Sequence, residues 1–233
     1  MKILTNLKQL SNIDKYNKNS SYIDANVFTL CQYNPTIIIS ADKDEVDEAF
    51  YDYPNIKFIG PGLNFPNRNL NVPAALLDER LLTSNITLER KSFEIGYICK
   101  RKSCPYINKL SRLGNLKIMG PVININTIYE NINDSIIAPF YKLAKICFVT
   151  DLESALLVLN MSGKCLGTPE VVAQCQYVDS IDSISCRDDL LNLIESYANP
   201  SSIARRLDAM EYSRGLSYKA FFENLSKGIS NET

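Results

Sequence analysis

Three cations in a row, Lys100, Arg101 and Lys102, follow the mainly apolar run Glu94–Cys99. A run of that length and makeup reads as a buried strand, so the cations fall where that strand ends. Parallel sheets take their ligands at the carboxyl ends of their strands. Cations at such a place suit an anionic ligand. The same triplet also fits a solvated turn, since charged side chains are mostly exposed in any fold.

Other candidates lie near strand and helix ends. Gly120 closes the segment Asn115–Met119, and a glycine there allows close backbone approach to a ligand or simply makes a turn. Ser162, Gly163 and Thr168 flank a helix-turn-strand whose backbone amides could bind phosphate oxygens, or could form an ordinary structural turn. The chain contains no histidine. That excludes Ser-His-Asp and Cys-His arrangements and the usual histidine-ligated zinc. A general base must then be Asp or Glu, or less often Lys, Tyr or Cys. Asp42 and Asp44 follow the β-branched run Thr36–Ser40 and so stand at a strand's carboxyl end, although helix capping also accounts for either one. Asp24 is a further carboxylate of the same region. Tyr97, Tyr106, Tyr129 and Tyr141 could stack on a base or sugar, or serve as half-buried core residues.

The chain totals narrow the field. At 233 residues with 45% hydrophobic content, one large or two small domains can bury a core. Twenty-five basic residues balance 26 acidic ones, so no global field favours nucleic acid or an anionic membrane. No apolar run approaches the roughly 18 residues a membrane span needs, and Met1–Asn6 reads as a first strand rather than a leader. A cytoplasmic protein is expected. The seven cysteines occur mainly in apolar surroundings without Cys-x-x-Cys knuckles, so they read as small buried hydrophobes, with no metal expected. Neither a Walker phosphate loop nor a Gly-x-Gly-x-x-Gly fingerprint occurs, which argues against ATPase or dinucleotide chemistry.

The elements that must position these residues alternate. Lys2–Thr5 predicts a strand and a polar stretch runs to Ser21. A helix is expected over Tyr22–Tyr33, strands over Thr36–Ser40 and Asn55–Gly60, and an acidic helix between them. Residues 61–73 are rich in Pro, Asn and Gly and read as a linker or one long loop. Ala74–Leu82 predicts a short helix. Beyond it, Glu94–Thr168 reads as strand, basic loop, helix, strand, helix, strand, helix and short strand, the pattern of a parallel sheet. Arg187–Tyr197 predicts a helix, Ser201 can cap another through Met210, and Ser217 can cap a third through Lys227.

Four segments resemble the nucleotide-sugar lobe of GT-B glycosyltransferases, in particular the glycosyltransferase-like group of spore-coat maturation and phage proteins. They are Glu94–Lys102, Asn115–Gly120, Ala138–Phe148 and Arg205–Leu225, the last with Ser217-Tyr218 before Phe221. The resemblance implies an α/β fold of two Rossmann-like lobes, the amino-terminal one truncated, over residues 1–84 and 85–233. It implies a nucleotide-sugar donor held by Lys100, Arg101, Lys102, Gly120, Ser162, Gly163 and Thr168 in a cleft between lobes. Sugar transfer would need no metal and no separate cofactor; the acceptor is unknown. An inverting member would carry its base on the amino-terminal lobe, as Asp42 or Asp44. Members usually hold the donor ribose with a glutamate five residues before the glycine of the helix-to-strand turn; here that position is Val158, and the position eight earlier is Thr150. Glu153 takes the role only if the helix is shifted in register. The departure implies weaker donor binding or a different donor. The other reading is a catalytically degenerate member acting as a binding or scaffold module, in a viral or phage setting.

Overall fold

A computed structural model describes residues 1–60, 72–82, 91–100, 104–121, 127–129, 134–197 and 199–230. The chain divides into two compact units, Met1–Leu76 with Leu216–Thr233, and Leu77–Gly215.

The smaller unit is built from β1 (Ile3–Thr5), α1 (Ile13–Tyr16), β2 (Ser20–Tyr22), α2 (Val27–Gln32), β3 (Ile37–Ile39), α3 (Lys43–Asp52) and β4 (Lys57–Ile59). Its four strands are parallel, in the order β2-β1-β3-β4. Side chains alternate across a strand, and the core follows that period. Ile3, Ile37, Ile39 and Ile59 face Leu10 and Ile13, together with Tyr218, Phe221 and Leu225 of the closing helix Tyr218–Ser230. Leu4, Ile38 and Phe58 face Val27, Leu30, Val46 and Ala49 of α2 and α3. The closing helix therefore belongs with residues 1–76 and not with the stretch that precedes it in sequence. Ser217 caps it as expected, its Oγ accepting the Ala220 N–H at 3.1 Å.

One expectation is corrected in this unit. The polar stretch ends in strand β2, and the helix expected from Tyr22 begins at Val27. Asn26 starts it by accepting the Thr29 N–H at 2.9 Å. As an edge strand, β2 pairs on one side only and needs no apolar run.

The larger unit contains β5 (Phe93–Ile98), α4 (Ile107–Leu113), β6 (Leu116–Met119), β7 (Thr127–Tyr129), α5 (Asp134–Leu143), β8 (Ala144–Val149), α6 (Leu152–Asn160), β9 (Cys165–Gly167), α7 (Pro169–Gln174), β10 (Asp179–Ser180), α8 (Arg187–Ser196) and α9 (Pro200–Gly215). All six strands are parallel, in the order β10-β9-β8-β5-β6-β7. This is the doubly wound Rossmann order: the chain starts mid-sheet, runs out to one edge and returns to fill the other. The reversal falls between β5 and β8, which pair Ile95 with Ile146 and Tyr97 with Phe148. One face packs Ile95, Tyr97, Ile118, Ile146 and Phe148 against α4 and α8. On the other, Gly96 gives room to α5: a Cβ there would lie 3.4 Å from the Phe140 ring and 2.8 Å from the Ala144 Cβ. The strands expected from Glu94, Asn115 and Ile146 are all present; β7 and β10, three and two residues long, were not expected. The helix expected over Ala74–Leu82 is a 3-10 turn at Glu79–Leu82.

The fold is thus α/β with two parallel sheets. Among the described residues, no helix is long and apolar enough to cross a membrane.

Candidate functional site

The carboxyl ends of β5 and β8 lie side by side at the reversal point, where open parallel sheets leave a crevice. Lys100 follows β5, and Asp151 and Glu153 open α6 after β8. The Lys100 Nζ reaches across the join, 3.2 Å from Asp151 Oδ1 and 3.4 Å from Glu153 Oε2. Asp151 also caps α6, accepting the Ser154 N–H at 2.8 Å and the Ser154 hydroxyl at 3.1 Å. Burial alone would lower the Lys100 pKa; the two carboxylates and their hydrogen bonds outweigh it, and the pKa lies above its usual value. The ammonium expected to be held ready for an anion is therefore already matched, with two carboxylates against one cation. Arg101 and Lys102 lie outside the described residues.

Gly120 stands beside Lys100 at the same sheet edge. Its φ is +132°, and a Cβ would lie 1.9 Å from the carbonyl oxygen of Cys99. The Cys99 N–H in turn donates to the Met119 carbonyl at 2.8 Å. Only glycine fits here, and the reason is the neighbouring chain. Thr168 is also at this edge: it is buried at the start of α7, and its N–H donates to the Val149 carbonyl at 3.4 Å. The Thr168 hydroxyl donates to Glu170 and holds that carboxyl below its usual range.

Ser162 and Gly163 are not brought together with these residues. They form the turn from α6 into β9, at the amino-terminal edge of the sheet, so their expected place beside the phosphates is corrected. Ser162 has φ +56°, and the Gly163 N–H donates to the Val158 carbonyl at 2.9 Å, closing the helix. A Cβ at Gly163 would lie 2.7 Å from Val158 Cγ1. Val158, the position of the expected ribose carboxylate, is fully buried.

Asp42 and Asp44 belong to the other unit, at the carboxyl end of β3. Asp42 caps α3, accepting the Glu45 N–H at 3.2 Å, and Asp44 is exposed in the first turn. Glu45, which the sequence did not single out, accepts the Val27 N–H at 2.9 Å and ties the start of α2 to α3. These positions are what helix starts require. Among the described residues, Glu153 is the one candidate carboxylate in contact with a candidate cation.

The remaining chemistry is quiet. Tyr97 and Tyr141 are core residues whose burial raises their pKa. Tyr106 rests 5.5 Å from the Phe148 ring, and the side chain of Tyr129 lies outside the described residues. Burial pushes the Cys147 thiol up to about 12, which removes it as a nucleophile at neutral pH. Among the described residues, no group of three or more side chains could hold a metal ion.

Sequence reasoning missed a polar cluster at the amino-terminal edge. Glu94 Oε2 accepts the Asn115 N–H at 2.7 Å, and Glu94 Oε1 accepts from Arg187 Nη2 at 2.9 Å. Its members are spread over almost a hundred residues, so no local spacing betrays them.

These features define an α/β protein whose larger sheet has the Rossmann strand order. No family model matches the sequence, and no curated protein matches it. Among solved structures, the chain is similar to that titled as the glycotransferase of kitacinnamycin, with a TM-score of 0.48 and 9% identity, covering 97% of this chain and 75% of that one. A likeness of that size carries no argument, and the fold rests on the strand order itself.

Proposed function

We propose that the larger unit is a glycosyltransferase-like module that binds the diphosphate of a nucleotide-sugar at the carboxyl ends of β5 and β8. The observation that supports it is the position of Lys100 at the reversal of a Rossmann-ordered sheet, next to the close-packed Gly120. In this reading Arg101 and Lys102 supply the charge that Lys100 shares with Asp151 and Glu153. Metal-independent transfer of the sugar to an acceptor is the catalytic form of the same reading. The binding form is favoured, because Lys100 is already matched by carboxylates and Val158 is sealed in the core.

Thermal melts with UDP, GDP, ADP, CDP and their sugars test it. One diphosphate raises the melting temperature by mass action, and Arg101→Ala with Lys102→Ala removes the rise while leaving the unliganded melt nearly unchanged. No rise with any of them defeats the proposal. Steady hydrolysis of one sugar nucleotide would promote the catalytic form over the binding form.

A further inference from the structure

The opposite edge of the larger unit's sheet carries a surface cavity of about 540 Å³, between the starts of β5, β6 and β8. Lys91, Arg112, Lys145 and Arg187 line it, and among the described residues Glu94 is its one carboxylate. The whole chain has a net charge of −1, so this concentration of cations does not follow from composition. Glu94 is already engaged on both oxygens, by Arg187 and by the Asn115 N–H. Among the described residues, neither Arg112 nor Lys145 pairs with a carboxylate.

Two of these cations, Lys91 and Lys145, also stand close to a further lysine outside the cavity. Lys164, at the start of β9, is held below its usual pKa by burial, then by Arg206, Lys91 and Lys145. Lys91 is lowered chiefly by burial, opposed by Cys147, with a lesser lowering from Lys142. Holding like charges together opposes folding unless a counterion relieves them. A cavity of several hundred cubic ångströms suits a small ligand, whereas an extended polyanion wants a continuous basic track. Arginine has donors to spare beyond one carboxylate and favours planar, forked contact with phosphate.

We propose that this cavity binds the phosphate group of a small phosphorylated molecule, with Arg112 and Lys145 as its free cations and Arg187, oriented by Glu94, beside them. The site is separate from the carboxyl edge of the sheet, and it stands or falls without the nucleotide-sugar reading.

The test uses inorganic phosphate, compared with chloride at equal ionic strength, on the full chain. Phosphate at about ten times its dissociation constant raises the melting temperature by about 3 °C. Arg112→Gln combined with Lys145→Gln abolishes the rise, and Lys100→Ala retains it. No rise in the wild type overturns the proposal, as does a rise that survives in the double variant or disappears with Lys100→Ala. Should the double variant fail to fold, Arg112→Gln alone, on the exposed side of α4, is read by phosphorus-31 line broadening of the phosphate. Weakened broadening supports the site, and unchanged broadening overturns it.

Discussion

Lys100 Nζ stands 3.2 Å from Asp151 Oδ1, across the join between the two halves of the larger unit's sheet. The residues belong to loops after β5 and β8, 51 positions apart, and the pair spans the place where a Rossmann sheet ordinarily opens. A ligand diphosphate arriving there must displace a carboxylate from Lys100 or find its charge elsewhere.

Because Lys100 is 50% exposed, its pairing is screened, and Lys100→Met costs under about 1 kcal/mol at neutral pH. The sign of the pH effect is fixed by the raised pKa. The folded state holds this proton more tightly than the unfolded chain, so the contribution is complete below the usual lysine value. It fades as pH rises through the folded value. Urea melts of wild type and Lys100→Met therefore differ slightly at pH 8 and converge in strongly alkaline buffer. A gap that widens with alkalinity would contradict the pairing.

Gly120→Ala destabilises far more. The new Cβ would meet the Cys99 carbonyl oxygen at 1.9 Å, in a backbone region with φ +132° that side chains rarely adopt. The obstacle is main chain in a central strand pair and cannot swing aside. A loss of about 3–5 kcal/mol is expected in denaturant titration. A near-neutral Gly120→Ala would mean that β5 and β6 diverge after Met119.

Glu94→Gln tests the amino-edge cluster. The Glu94 side chain is 12% exposed and Arg187 58%, so the pair is only partly shielded. The substitution keeps an acceptor for the Asn115 N–H and removes the charge facing Arg187, at a cost of about 1–3 kcal/mol. A double-mutant cycle with Arg187→Met yields a coupling of about 1 kcal/mol. Additive losses would show that the two side chains act independently.

Much of this architecture was legible because burial writes a pattern. The run Thr36–Ser40 and the strands near residues 95, 117 and 147 are mainly apolar, as strands covered on both faces must be. What failed to register was short or at an edge: β2, β7 and β10 bury too little to demand a hydrophobic run. The site was harder to read. Lys100 and Gly120 were identifiable from strand ends, but the match of Lys100 to Asp151 and Glu153 depends on which strands become neighbours. Ser162 and Gly163 were misplaced for the same reason, since a helix-to-strand turn looks alike in sequence at either edge. The joining of Glu94, Arg112, Lys145 and Arg187 is wholly a product of topology.

Val158 gives the sharpest test of the family resemblance. The resemblance to GT-B transferases implies a ribose-binding glutamate there, yet Val158 is fully buried, and Gly163 packs against it closely enough that a Cβ would lie 2.7 Å from Cγ1. A carboxylate at this position would be cut off from water, and burying one uncompensated is costly. Val158→Glu should therefore destabilise the protein by about 3–5 kcal/mol in urea titration and bring no new thermal response to UDP or GDP. A variant of wild-type stability that gained such a response would put this face of α6 against the ligand, and with it restore the residue pattern that the transferases share.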